Sequence, residues 1–346
     1  MPNKTAIEWT DYTSNPIVPK EGGWGCSKVS PGCDHCYSER LNKRMGNRRD
    51  FHGKWEFILK ERELEGIRKL KGHQRIFMCD MTDMFHSDVP WEFIGRVFDV
   101  MIDRPQHTFQ LLTKRPGRMA FWAEHMVDIC RERGLPWKWP PWVWAGTSVE
   151  SQKYAPRLDC LARVPAKVRF VSVEPMLGPV ELSDWLLCES CGGRKVLPVI
   201  DTASFLTGQP IKVSGENTCP TCNGQGRDIH WVIVGGESGP KARPMHPDWA
   251  RSLRDQCRRA KVPYFHKQNG EFVNATYSDV PGGVIRGDQS VYCMKPSGEL
   301  SEPNRHWSGH QGLRCAHLLK LGKKAAGTLL DGREWREMPE SVEVNL

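Results

Sequence analysis

The stretch Trp24-Gly-Cys-Ser-Lys-Val-Ser-Pro-Gly-Cys-Asp-His-Cys-Tyr37 decides what the rest of the chain is expected to do. It places Cys26, Cys33 and Cys36 in a C-x6-C-x2-C pattern on one short loop. Three thiolates can hold three irons of a [4Fe–4S] cluster and leave the fourth iron free for a ligand that is not protein. They can also hold zinc with one open position. No fourth cysteine lies within forty residues of the loop, so the pattern predicts chemistry at the metal.

The segment Gly32-Cys-Asp-His-Cys-Tyr37 resembles the second half of the cluster loop of radical S-adenosylmethionine (SAM) enzymes, C-x3-C-x-aromatic-C. His35 stands at the aromatic position and a tyrosine follows, as in the spore photoproduct lyase branch. The first spacing departs from that pattern, with six residues in place of three. From Trp9 to Glu337 the chain is also similar to an uncharacterised phage-associated three-cysteine family. The resemblance implies a [4Fe–4S] cluster, SAM and a radical SAM fold, and it implies no particular substrate.

The composition is that of a soluble globular protein. The chain has 346 residues, of which 39% are hydrophobic and 26% charged. No apolar run approaches the roughly twenty residues of a membrane span, and the amino-terminal residues form no apolar signal region. Seven of the thirteen cysteines stand in metal-type spacings. This pattern predicts metal sites in a reducing cytoplasm rather than disulfides.

The formal net charge is +8, and much of the positive excess follows the cysteine loop. Together with 14 tryptophans, this charge favours a nucleotide or nucleic-acid partner. A solvated basic helix face is an equally weighted alternative. The basic residues are Arg40, Lys43, Arg44, Arg48, Arg49 and Lys54.

Short apolar strands that end in polar residues recur along the chain, and most precede a helical pattern. One strand is predicted before the cysteine loop and others near 75–79, 107–112, 142–145, 168–173, 231–234 and 262–265. Helices are predicted near 37–50, 56–71, 90–102, 118–133, 151–163 and 247–260. This alternation predicts a parallel α/β sheet, either doubly wound or a barrel. Given the resemblance of the loop, we favour a partial or complete parallel (β/α) barrel of the radical SAM type.

Two segments depart from this alternation. Residues 178–230 carry two C-x2-C pairs beside glycines, a pattern typical of a structural zinc ribbon inserted into the barrel core of 1–177 and 231–271. Residues 272–346 form a carboxyl-terminal extension with a predicted basic helical segment at 317–326. The predicted zinc ligands are Cys188, Cys191, Cys219 and Cys222.

Candidate site residues lie at the ends of the predicted strands, where α/β barrels and open parallel sheets place their sites. Cys79 is a candidate hydrogen-atom donor, as in spore photoproduct lyase, and a small buried filler is the alternative. Lys114 and Lys267 are candidate proton donors or anion ligands. The candidate SAM-binding residues are His35, Tyr37, Asp80, Asp83, Thr147, Ser148, Glu150, Glu174, Gly235, Gly236 and Glu237.

The last three of these residues resemble the GGE element with which many radical SAM enzymes hold the ammonium group of SAM. That element normally follows the second strand, and Gly235-Gly-Glu237 follows about the sixth. A strand-end turn that requires two glycines is the alternative explanation.

The leading functional hypothesis is a radical SAM-like iron–sulfur enzyme acting on a nucleotide or nucleic-acid base, served by an electron donor protein. A zinc-dependent hydrolase or deaminase is a second possibility, in which the three cysteines bind a catalytic zinc beside Asp34 and His35. A third is a non-enzymatic, zinc-containing nucleic-acid-binding accessory protein of a phage. The sequence leaves the substrate and the oligomeric state open.

Overall fold

The computed structural model describes residues 1–46, 51–187, 196–200, 213–218, 228–274, 291–301 and 316–340. Its strands are β1 (Asn3–Lys4), β2 (Tyr12–Ser14), β3 (Ile17–Pro19), β4 (Phe57–Leu59), β5 (Arg75–Met78), β6 (Thr108–Thr113), β7 (Val143–Ser148), β8 (Arg169–Val173), β9 (Val196–Ile200), β10 (Val213–Thr218), β11 (Trp231–Gly235), β12 (Tyr264–Gln268), β13 (Phe272–Asn274), β14 (Val291–Met294) and β15 (Ala316–Lys320). Its α-helices are α1 (Tyr37–Arg44), α2 (Glu61–Arg68), α3 (Trp91–Ile102), α4 (Pro116–Glu132), α5 (Arg157–Ala162), α6 (Ser183–Leu186), α7 (Pro247–Ala260) and α8 (Lys323–Ala326).

The centre of the molecule is an eight-stranded sheet in the order β1-β2-β5-β6-β7-β8-β11-β12. Every neighbouring pair from β2 to β12 is parallel, and β1 lies antiparallel to β2 at one edge. The prediction of a largely parallel α/β sheet is therefore confirmed. Because the strand order follows the chain order, the sheet is not doubly wound. Among the described residues its two edges do not pair with each other, so the closed form of the predicted barrel is not seen.

The sheet curves around an aromatic cluster on its inner face. The ring of Trp9, just before β2, lies 4.8 Å from the ring of Phe77 on β5 and 6.1 Å from that of Trp231 on β11. These two strands are four positions apart in the sheet, a separation of roughly 19 Å if the sheet were flat. One indole can bridge them only because the sheet is strongly bent. Helices pack on the outer face, where a second and larger apolar cluster forms.

The exposed edge of β12 is covered by the end of the chain. Phe265 forms an antiparallel bridge with Arg336, and the backbone N–H of His266 donates to the carbonyl of Trp335 at 2.9 Å. The indole of Trp231 donates to the carbonyl of Glu337 at 2.9 Å. Part of the carboxyl-terminal extension therefore satisfies the hydrogen bonds of an edge strand.

Two predicted helices are wrong in part. The segment predicted as a helix over 56–71 begins with strand β4, whose residues pair antiparallel with Ile17–Pro19, and only Glu61–Arg68 is helical. The segment predicted as a helix over 317–326 contains strand β15, which pairs with β13 and β14, before the short helix α8. In both places pairing with a strand distant in sequence overrides the local pattern.

The predicted zinc ligands and Arg48 and Arg49 lie outside the described residues. Within the predicted insertion, β9 and β10 pair antiparallel. Cys293 on β14 forms a disulfide, so the expectation of metal sites rather than disulfides is wrong at this residue. No helix in the described ranges has the length and apolar character needed to cross a membrane.

Candidate active site at the cysteine loop

The cysteine loop lies over the carboxyl ends of the parallel strands and encloses with them a cavity of about 460 Å³. A cavity of this size suits a small-molecule ligand. Cys26, Cys33 and Cys36 all line it. The other predicted site residues that line it are His35, Tyr37, Cys79, Asp80, Asp83, Lys114, Ser148, Glu174, Gly236, Glu237 and Lys267.

Three predicted site residues do not line the cavity. Thr147 points away from it and donates to the backbone carbonyl of Thr113 at 2.7 Å. Glu150 is fully buried and contacts the cysteine loop from behind. Gly235 ends β11, where a Cβ atom would stand 3.0 Å from the carboxylate of Glu174. These residues therefore support the site without facing a ligand.

The three thiols share the cavity but do not form a closed ligand set. Within the described ranges, no three His, Cys, Asp or Glu side chains are grouped closely enough to hold a metal ion. Burial raises the pKa of the Cys26 thiol to about 11 and also raises that of Cys36. Both are therefore protonated at neutral pH, and a metal would displace their protons on binding. In donor type and number the trio suits a cluster with one open iron.

Glu150 holds the loop through a buried polar network. Ser30 donates to Glu150 Oε1 at 2.6 Å, and Arg157 donates to Oε2 at 2.9 Å. The Nζ atom of Lys114 lies 3.5 Å from Oε1 and next to two of the thiols. The fully buried carboxylate thus has two cationic neighbours, Lys114 and Arg157, which compensate in part for its loss of contact with water.

The GGE segment also binds the cysteine loop. Glu237 accepts two hydrogen bonds from the guanidinium of Arg243, at 2.6 and 2.8 Å, and one from His35 at 3.1 Å. Arg243 donates in addition to the carbonyl of Pro31 at 2.8 Å. Burial alone would raise the pKa of Glu237, but the bonds from Arg243 and His35 lower it below its ordinary value. The Glu237 carboxylate is therefore already neutralised within the chain.

Gly236 has a steric role at the end of β11. A Cβ atom at this position would stand 2.5 Å from the carbonyl oxygen of Asn269. This close approach of two backbones permits only glycine. For Gly236 the alternative explanation of the GGE segment, a turn that requires glycine, has direct structural support.

Asp80 lines the cavity, and its hydrogen-bond partners among the described residues are neutral side chains. Asn15 donates to its Oδ1 atom at 2.6 Å, and Tyr37 donates to its backbone carbonyl and lies 3.3 Å from Oδ2. No cationic side chain of the described residues lies within ion-pair distance of this carboxylate. Burial consequently raises the pKa of Asp80 above its ordinary value. A cationic group in the cavity would stabilise the charged form.

The carboxylate of Asp83 is paired with a cation. Asp83 accepts from Arg115 at 2.7 Å and from Thr113 at 2.7 Å. The same arginine reaches the carbonyl of Ser27 at 2.9 Å and the sulfur of Cys26 at 3.8 Å. Asp83 therefore positions a cation against the cysteine loop.

Glu174, just after β8, and Lys267, on β12, face each other across the end of β11, which lies between these two strands in the sheet. The lysine Nζ donates to both carboxylate oxygens, at 2.9 and 3.0 Å, and both residues line the cavity. The two predicted site residues are brought together as a pair, and each partially neutralises the other.

Cys79 lies below the cysteine loop at the end of β5. It is buried, and burial raises the pKa of its thiol. Its backbone is left-handed, with φ of +57°, a conformation uncommon for residues other than glycine. The thiol lines the cavity, and its role as a hydrogen-atom donor stays a prediction.

The cavity also has an apolar side. Ile7, Trp9, Phe77 and Leu112 line it and connect it to the inner aromatic cluster of the sheet. Sequence patterns had not placed these residues at the site. The rings of Trp9 and Phe77 are the members of this group on which an aromatic ligand can stack.

Four residues that position the cysteine loop or the carboxylate of Asp80 were missed by sequence reasoning. Asn15, Ser30 and Arg243 lie between regular elements, and Arg157 begins α5. In each case only the tertiary contacts reveal the role of the residue. Arg243 follows Glu237 by six residues. An arginine in a turn rich in glycine and proline was a weak sequence signal that this residue belongs to the site. The missed residues are Asn15, Ser30, Arg157 and Arg243.

A family model described as a protein of unknown function, DUF5131, matches residues 4–339. The chain belongs to this family. No curated protein matches the chain. Among solved structures it is similar to spore photoproduct lyase complexed with dinucleoside spore photoproduct, with 10% identity, a TM-score of 0.34 and coverage of 75% of each chain. This similarity is too low to establish a shared fold, and the phage association remains a prediction.

Proposed function

We propose that this DUF5131 protein is an iron–sulfur enzyme of the radical SAM type that acts on a nucleotide or nucleic-acid base. One observation carries the proposal. Three cysteines of one loop line a single cavity at the carboxyl ends of parallel strands. That edge of a parallel sheet is where α/β proteins place ligands and catalytic groups.

Cys26, Cys33 and Cys36 would hold the cluster, and their number leaves one iron open for SAM. When bound, the cluster would supply a reduced centre and SAM a sulfonium, whose reductive cleavage yields a 5′-deoxyadenosyl radical. An electron donor protein supplies the electron. The cations Lys114 and Arg115 lie beside the thiols and offset the negative charge that the thiolates gain on losing their protons.

Asp80 is the best-placed residue for the ammonium group of SAM. It is a partly buried carboxylate that faces the cavity without a cationic partner. Glu237, which the GGE pattern nominates, is neutralised by Arg243. Because a second cation gains little from a carboxylate that is already paired, we assign the ammonium to Asp80.

The apolar wall formed by Trp9 and Phe77 supports a base as the substrate. Aromatic side chains stack on nucleobases, whose flat faces have similar polarity. Cys79 also lines the cavity and would return a hydrogen atom to a product radical. Lys267 is the candidate proton donor, and Glu174 holds its ammonium group in place.

Anaerobic reconstitution with iron and sulfide tests the proposal. We expect a brown protein with about four irons per chain, lost in Cys33→Ala. The reduced protein should release 5′-deoxyadenosine from SAM. A colourless protein that binds zinc alone would refute it.

A zinc hydrolase would use the same three thiols, but the two neighbouring candidate ligands, Asp34 and His35, are engaged elsewhere. Asp34 lies 3.5 Å from Arg243, and His35 is bonded to Glu237. Neither residue joins the thiols as a ligand within the described ranges. A structural zinc on the four cysteines of the 178–230 segment is a separate proposal, which zinc analysis after mild chelation would check.

A further inference from the structure

The mouth of the cavity carries a group of cations that have no acidic partner in the part of the chain that the structure describes. Arg40 and Lys323 line the cavity, the first from α1 and the second from the start of α8. Lys320 lies at the end of β15. Within the described residues, none of the three forms an ion pair. We call these three residues the cationic rim.

The rim converges on one turn. Arg40 donates to the carbonyl of Ser238 at 3.3 Å, and Lys320 donates to the carbonyl of Pro240 at 2.9 Å. Gly239 between them is held by the carboxylate of Glu271, which accepts its backbone N–H at 2.7 Å. This turn follows Glu237 directly, so the rim stands at the entrance to the cavity.

The charges of the rim are available to a ligand. Lys320 and Lys323 are exposed and Arg40 is half-buried. Arg40 and Lys320 donate to backbone carbonyls, and no acidic side chain in the described ranges pairs with any of the three cations. Among the residues that the structure describes, Glu271 is the acidic group bonded to this turn, so the three cations leave an excess of positive charge there. The other cations around the cavity, Lys114, Arg115 and Lys267, are already paired with carboxylates.

We infer that the cationic rim binds the phosphate of a nucleotide whose base enters the cavity. This inference rests on the proposed function and names its substrate class as phosphorylated. Three cations on separate elements suit phosphate, which has oxygens on several sides. The aromatic wall of Trp9 and Phe77 lies inside the same cavity, so phosphate and base would be held at its two ends.

Binding to the metal-free protein tests the inference independently of any radical chemistry. The probe is a short, fluorescently labelled single-stranded oligodeoxynucleotide, and anisotropy is followed over a range of salt concentrations. Each of Arg40→Gln, Lys320→Gln and Lys323→Gln should lower the slope of log Kd against log salt by about 0.7. Together they should weaken binding about tenfold or more at low salt.

The matched control is Lys167→Gln. Lys167 is an exposed lysine just before β8, at the amino-terminal edge of the same sheet. It should leave affinity and salt slope unchanged. Thermal melting checks that each variant is folded.

Competition identifies the source of the phosphate. Thymidine monophosphate should displace the probe if a free nucleotide suffices, whereas displacement by unlabelled oligonucleotide alone indicates a strand. Thymidine should be the weaker competitor in both cases. Wild-type affinity in the triple variant, equal weakening by Lys167→Gln, or thymidine competing as well as its monophosphate would overturn the inference. If the wild-type protein failed to bind iron on reconstitution, the proposed function would be refuted, whereas the oligonucleotide-binding assay on the metal-free protein would be unaffected.

Discussion

A Cβ atom at position 32 would lie 2.4 Å from Oε1 of Glu150. Gly32 thus sits directly on a fully buried carboxylate, next to the second cysteine of the loop. The Glu150 carboxylate cannot easily move away from Gly32, because Ser30 and Arg157 hold it from other sides. The position of the cysteine loop therefore depends on the absence of a side chain at this residue.

Gly32→Ala should displace the loop. The methyl group must push away Glu150 or the loop, and overpacking of this kind costs about 1–3 kcal/mol. Urea unfolding should show this loss, and the reconstituted variant should retain less iron. Gly95→Ala in α3 is the control, since no atom lies within 4 Å of its Cβ position and alanine favours helix. Equal stability of the two variants would contradict the proposed contact.

Arg243→Lys should loosen the loop without emptying the cavity. Arginine reaches both oxygens of Glu237 and the carbonyl of Pro31 at once, and lysine lacks the planar fork that makes this possible. We expect faster alkylation of Cys33 by iodoacetamide and a stability loss of about 1–2 kcal/mol. Arg131→Lys, at an exposed pair with Asp128, should change neither. Unchanged alkylation in Arg243→Lys would show that Glu237 does not hold the loop through this residue.

Asp80→Asn should have opposite effects on stability and on ligand binding. Burial raises the pKa of Asp80, so the free protein should be as stable with the neutral amide or more stable. SAM binding to the reconstituted protein should weaken by about tenfold or more, because a charge-assisted hydrogen bond is lost. Calorimetric titration measures the affinity, and Asp128→Asn is the exposed control. If Glu237→Gln abolishes SAM binding and Asp80→Asn does not, the GGE residue holds the ammonium after all.

The strand positions and much of the cavity could be predicted from sequence. A polar residue that follows a buried apolar run, such as Asp80 after Arg75–Met78, must emerge at one edge when the strands are parallel. Six such runs placed most candidates on the same cavity wall. The prediction worked because it needs only the order and direction of strands.

The errors have equally specific causes. Thr147 and Ser148 are adjacent on β7, and side chains alternate between the faces of a strand, so both could not face the cavity. The strand Phe57–Leu59 was assigned to a helix because its partner, Ile17–Pro19, is distant in sequence. Arg243 escaped notice because its role arises from a contact with Pro31 across the fold. Period and spacing do not report contacts of this kind.

His266 gives the protein a stability that depends on pH. It is fully buried on β12, with Nε2 2.8 Å from Oδ1 of Asn269, and burial lowers its pKa to about 4. An unfolded histidine has a pKa of about 6.5. Between pH 4 and pH 6.5, His266 is therefore protonated in the unfolded chain and neutral in the folded chain. Stability should be complete above pH 6.5 and fall as the pH drops toward 4, by about 3 kcal/mol for this residue.

Urea unfolding midpoints between pH 7 and pH 4 measure this loss. His266→Gln cannot take up the proton, so it should be less stable than the wild type at pH 7 but lose less stability on acidification. The surface variant His125→Gln separates this effect from general acid denaturation, because His125 is exposed and stacks on the exposed ring of Phe121. The argument fails if His266→Gln and the wild type lose stability in parallel, since the acid sensitivity would then belong to other groups.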